Sequence, residues 1–178
     1  MLIAQEKRKT NIAEYILYMW QVEDLIRAYR FNIDLIEQNL ISQYSQPPRI
    51  KNEVRDWFAN MILMMYREGI QEKGHLSNLT ALIAEVTDLH IRLLNSESGY
   101  KQLFLDASGN IADFRKKSAN PATGDIEICL NALYGLLLLR LKKQTVSRET
   151  ELAMASFSKL LARLSRIFLE VERGEREI

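Results

Sequence analysis

The sequence predicts an all-α protein, a single-domain bundle of about six to seven helices, mostly up-and-down, spanning residues 1–178. Three observations predict it. Apolar residues recur at steps of three and four over long segments, no segment shows sustained period-two alternation or a βαβ pattern, and only 7 Gly and 3 Pro interrupt 178 residues. A chain of this length can bury one real core, and a second independent core is unexpected.

Each helix has a local signal. Thr10 is the expected N-cap of the first, whose positions Ile12, Tyr15, Ile16, Met19, Val22, Ile26 and Tyr29 form one stripe. The segment "NIDLIEQNLISQY" predicts a shorter second helix, stopped at "SQPP" because a proline disfavours helical geometry in the residue before it. Pro48 suits a first turn, and a third helix is expected from Arg49 to Gly74, with Gly74 as its C-cap. Ser77 is the expected cap of a fourth helix ending near "NSESG", and the short connection implies an antiparallel hairpin of helices three and four. The spacing from Tyr100 to Lys117 is helical, but "DASGN" in its middle leaves open one bent helix or two short ones. "SANPATGD" is the clearest loop, with Thr123 or Asp125 capping a very apolar sixth helix. Ser147 caps the seventh, where Thr150, Met154, Phe157, Leu161, Leu164, Phe168 and Val171 form an a/d seam widened by Leu160 and Ile167.

Composition excludes several functions. A formal net charge of +1 gives no bulk attraction to nucleic acid or to an anionic membrane. The lone Cys129 cannot form an internal disulfide, and its neighbours Ile128 and Leu130 mark it as a small buried hydrophobe, so a reducing, cytoplasmic setting is expected. "MLIAQEKRKT" is broken by charge too early for a signal peptide, and the Asn-x-Thr sequon at Asn78 is then accidental. "ICLNALYGLLLLRL" falls short of the ~20 apolar residues that span a bilayer, so it reads as a central buried helix and no membrane partner is expected.

Two ionisable residues are out of register. At 100° steps Glu23 lies near the middle of the first helix's apolar arc, and Arg27, one turn on, can satisfy it locally. His90 lies at the centre of the fourth helix's stripe, where a buried imidazole calls for a carboxylate from a neighbouring helix. A sharper expectation is that Glu23 and His90 meet in the core. Such a pair has the environment of general acid–base chemistry, which makes the two residues weak candidates for a small-molecule enzyme; a structural role is preferred.

Cofactor chemistry has little support. The bundle di-iron pattern requires Glu-x-x-His on two helices, and Glu85 and His90 are wrongly spaced. Glu68 and Glu72 continue the third helix's stripe and are read as solvated rather than as ligands. No phosphate-binding glycine loop, zinc pattern or serine elbow occurs, so no metal and no cofactor are expected.

Two binding readings remain. If the helices alternate strictly, "EKRK", Arg49, Lys51 and "RLKKQTVSR" gather at one end and could hold nucleic acid or phosphate, diluted by Glu6, Glu53 and Glu149. The preferred reading is protein contact, through self-association or another partner. Its interface candidates are Phe157, Leu161, Leu164 and Phe168 on the seventh helix, and Trp20, which with Leu17 projects away from the first helix's main stripe.

"QEKRKTNIAEYILYMWQVEDLIRAY", "WFANMILMMYREGIQEKGHLS" and "IEICLNALYGLLLLRLKK" together resemble an all-helical bacterial family classed as a domain of unknown function. The likeness runs over essentially the whole chain and is strongest around Tyr15, Trp20, Glu23, Asp24 and Arg27. It implies a single helical domain and brings no activity, so no catalytic residue carries over.

Overall fold

A computed structural model describes residues 2–118 and 120–178, and among these it contains eight α-helices, one short 3-10 turn and no strand. The helices are α1 (Leu2–Thr10), α2 (Ile12–Ala28), α3 (Ile33–Asn39), α4 (Pro48–Arg67), α5 (Ser77–Ser96), α6 (Ser98–Lys117), α7 (Asp125–Leu141) and α8 (Arg148–Glu172). The 3-10 turn, Ile41–Gln43, follows α3. No described helix is long and apolar enough to cross a membrane.

The extra helix arises at Asn11. Thr10 closes α1, and Asn11, in extended conformation at φ −156°, caps α2 by accepting the Glu14 amide at 3.1 Å. An asparagine carbonyl satisfies this orphan donor as well as the threonine expected to do so. Ser147 caps α8 as expected, accepting from the Thr150 amide at 3.2 Å. α7 begins after Gly124 with no side-chain cap; Thr123 instead donates to the Asn120 carbonyl inside the preceding turn. In that turn the forecast loop is present over the described residues, Ala119 lying outside them. The stretch with "DASGN" stays helical throughout, so residues 98–117 are one helix.

α4 ends earlier than the sequence suggested. Its C-cap is Glu68, Gly69 takes φ +70°, and the Ile70 amide reaches back to the Met65 carbonyl at 3.1 Å. The left-handed φ of this closing turn is one that residues with a side chain rarely adopt, which is why glycine holds it. Residues 69–76 then run as a loop, with Gly74 at φ +93°. Beyond it α4 packs mainly on α2, α3 and the 3-10 turn, and α5 on α6, α7 and α8, rather than on each other as a hairpin.

α8 is the hub, touching α1, α2, α5, α6 and α7. Its seam is interior: Phe157 and Leu164 have no exposure, Leu161 has 3% and Phe168 7%. These four side chains therefore face the chain's own helices, and the expectation that they present an interface is corrected. A period identifies which side of a helix is apolar; here five other helices cover that side. Buried residues of all eight helices join one apolar cluster, with Cys129 inside it and its thiol pushed up to about 12 by burial.

Introducing charge there has a definite outcome. Leu164→Glu with Phe168→Glu places two carboxylates in that core, and loss of the folded state is expected by circular dichroism rather than a change of oligomeric state in a folded chain.

Candidate functional site

Glu23 has no exposure, and its partner is neither Arg27 nor His90. Its Oε2 lies 2.6 Å from Nδ1 of His75, and its Oε1 accepts the Leu76 amide at 2.9 Å. An ionised carboxylate only accepts, so the imidazole donates from Nδ1 and turns Nε2 outward. Leu76 is the N-cap residue of α5, so the buried charge sits where that helix's unpaired amides and partial positive charge favour an anion. A second carboxylate serves the same end: Glu68 accepts from the Ser77 amide at 2.6 Å and from its hydroxyl at 3.0 Å. Glu68 thus does the capping expected of Ser77, and Glu72 stands exposed beside it in the loop.

The rest of α2 grips the same loop. Arg27 gives one nitrogen to Asp24 at 2.9 Å and the other to the carbonyls of Ile70, 3.1 Å, and Gly74, 2.5 Å. The imidazole of His75 stacks on Trp20 with centroids 4.5 Å apart and planes at 19°. Tyr134 of α7 meets Trp20 edge-on at 5.5 Å and donates its hydroxyl to Asp24 at 2.6 Å. Trp20 is 1% exposed, so its expected place at an interface is also corrected: a returning loop covers it. The His75 side chain remains 36% exposed. The carboxylate fixes its tautomer and orientation, and Trp20 fixes its plane. That arrangement bolts residues 69–76 onto α2.

His90 forms a separate centre. It is 2% exposed; its Nδ1 is 2.7 Å from the Tyr100 hydroxyl, and its Nε2 is 3.8 Å from Asp125, too far for a hydrogen bond. Phe104 and Tyr100 meet the ring edge-on, and Arg115 ties Asp125 to the Thr123 carbonyl. Burial holds the imidazole below its ordinary range, only partly offset by Asp125, so it is neutral. The carboxylate neighbour expected for His90 is therefore Asp125. The Glu23–His90 pair is not formed, and the enzyme reading built on it loses its two residues.

Nor is a basic end assembled. Arg8 pairs with Glu172 at the C-terminal end of α8, with oxygens 2.7 and 2.5 Å away, whereas Arg148 begins the same helix. A helix of 25 residues holds those ends about 36 Å apart. Lys7 is paired with Glu14 and Arg49 with Glu53, so the expected cations are split and partly neutralised.

α7 carries the remaining feature. From Ala132 to Leu139 only Leu136 is buried, although the run is apolar, and Leu141 is 68% exposed. Grooves flank it on both sides. One, of about 520 Å³, runs between α7, α6 and the start of α8; the other, of equal volume, lies between α7, α2 and α8.

A chain whose described residues form helices and connecting loops, with a histidine–carboxylate bolt and one half-covered apolar helix, is thereby defined. Residues 1–175 match the family model described as Domain of unknown function (DUF4924), and the chain belongs to that family. No curated protein and no solved structure matches it.

Sequence reasoning missed His75 because it sits in a loop outside any periodic stripe. The available signal was chemical: Glu23 needed a donor and the chain has only 2 histidines. His75→Ala leaves a buried carboxylate without its ring partner and should cost about 3 kcal/mol or more in denaturant unfolding, with loop 69–76 losing hydrogen-exchange protection. Glu23→Gln, which keeps volume and one acceptor, should cost less. A second outcome concerns pH. Because the folded His90 resists protonation, its contribution is intact above the unfolded value of about 6.5 and is lost as pH falls below it. Melting temperatures of wild type and His90→Gln between about pH 7.5 and 5 should show an acid-side loss that the variant lacks.

Proposed function

We propose that the protein acts through helix-face contact with a second copy of itself, made by the α2-facing side of α7. The observation that carries this is the half-covered apolar run of α7. A helix apolar around its whole circumference belongs in an interior, and Leu133, Leu137 and Leu141, one turn apart, line a side that the other helices leave half open. The adjoining groove reaches Leu17 of α2 and is rimmed by Glu14, Glu151 and Arg140. Charges of both signs on one rim suit a two-fold contact, in which each copy offers its cation to the other's carboxylates. α7, at 17 residues, is about 25 Å long, and with the groove beside it offers room toward the ~800 Å² per partner of a standard interface.

Light scattering behind size-exclusion chromatography tests this. Wild type should elute as a dimer, and Leu137→Glu with Leu141→Glu as a folded monomer. Arg140→Glu should weaken the dimer, and adding Glu151→Arg should restore it. A monomeric wild type at about 100 μM, far above the Kd of a standard interface, sinks the proposal.

A further inference from the structure

The groove on the other side of α7 has a different character. Its floor is made by Phe114, Ile128, Leu136, Leu138, Leu139 and Met154, and its volume of about 520 Å³ lies within the ~300–1,000 Å³ of small-molecule sites. Among the described residues that line it the only ionised groups are Lys117 and Lys142, with no carboxylate. Neither lysine takes part in an ion pair among the described residues. Lys117 is held over the Phe114 ring at 5.6 Å, at the edge of the apolar floor.

Gly135 supplies an independent observation. It stands inside α7, where glycine is less favourable than alanine, and a Cβ built on it meets nothing within 4 Å. No neighbour within the chain requires its smallness. What its missing side chain does is keep the groove open along the helix.

We propose that this groove binds a single-chain anionic amphiphile, a free fatty carboxylate, with its tail along α7 over Gly135 and its head between Lys117 and Lys142. An apolar trough lined by two cations and no acid complements that ligand: the tail is covered by the apolar lining, and the carboxylate gains lysine partners that an uncharged apolar molecule would not use. The charge of its rim distinguishes this groove from the mixed-sign one assigned to self-association, with which it shares Leu136 and Met154.

Calorimetric titration of the full chain with octanoate, decanoate and dodecanoate, each below its micelle concentration, provides the test. One ligand per chain is expected, each added methylene tightening Kd by about four-fold. Lys117→Ala with Lys142→Ala should weaken dodecanoate about ten-fold or more, and dodecanol should bind wild type more weakly than dodecanoate does. Gly135→Leu fills open space, so it should keep the wild-type circular dichroism and lose binding. The proposal is overturned by no saturable binding, by Kd values independent of chain length, by unchanged binding in Gly135→Leu, or by association with anionic phospholipid vesicles without uptake of the free carboxylate. Scattering mass with and without ligand should be the same; a ligand-induced change would instead assign the groove to the subunit contact.

Discussion

A carboxylate with no solvent must be satisfied from within the protein, and the way Glu23 achieves this determines how the two halves of the chain meet. Its oxygens take the Leu76 amide and the His75 ring, so the head of α5 is pulled onto α2. Arg27 adds the carbonyls of Ile70 and Gly74, and the whole passage from α4 to α5 is thereby drawn across one helix. This is why α4 and α5, neighbours in sequence, pack mainly on different partners. Leu76 and Ile70 anchor the loop in the apolar core, and carbonyls that would otherwise face water are paired with Arg27 of α2. Removing the bolt would therefore loosen a boundary between two groups of helices, beyond the energy of the contact itself.

The helices themselves were legible, because the forces that define them are local. Stripes at three and four, Pro48 in a first turn and Ser147 before the last helix all act within a few residues of the element they mark. Where competing local signals stood side by side, the choice failed by one position: Asn11, not Thr10, supplies the cap, and residues before it had room to form α1. The candidate site was legible only in half. Glu23 announced itself by lying in an apolar arc, but its partner came from 52 residues away in a loop with no period. Arg27 could have served it, yet Asp24 and two carbonyls claim that guanidinium. Local proximity decides such a pairing only when nothing distant competes.

Glu23 and His90 solve one problem in opposite ways. Glu23 is placed at the N-terminal end of a helix and given two donors, so its oxygens are both used. His90 has one good partner, the Tyr100 hydroxyl, and a carboxylate beyond hydrogen-bond reach, and burial keeps it neutral. The Tyr100 hydroxyl, fully buried and pushed up by that burial, does not ionise beside it. One centre is a clasp between a loop and a helix; the other fixes how α5, α6 and α7 meet. Both tie separate elements of the fold together.

The surface argument turns on α7. A sequence of nearly unbroken apolar residues predicts burial, yet α8, whose stripe is narrower, places ten residues in the interior and α7 only five. The difference is geometric. α8 is surrounded by five helices, whereas the second half of α7 is only half covered, leaving apolar side chains partly in water where an isolated chain would gain from polar ones. Keeping Leu141 exposed and Leu133 and Leu137 half-exposed costs solubility, and keeping Gly135 in the same helix costs helix stability. Neither cost has a return inside the chain. The two sides of α7 also differ in the charges that border them, both signs beside α2 and lysine alone beside α6, and charge is what separates a surface that complements itself from one that complements an anion. A single helix can then serve two contacts at once, because the rows of side chains that face them lie on different sides of it.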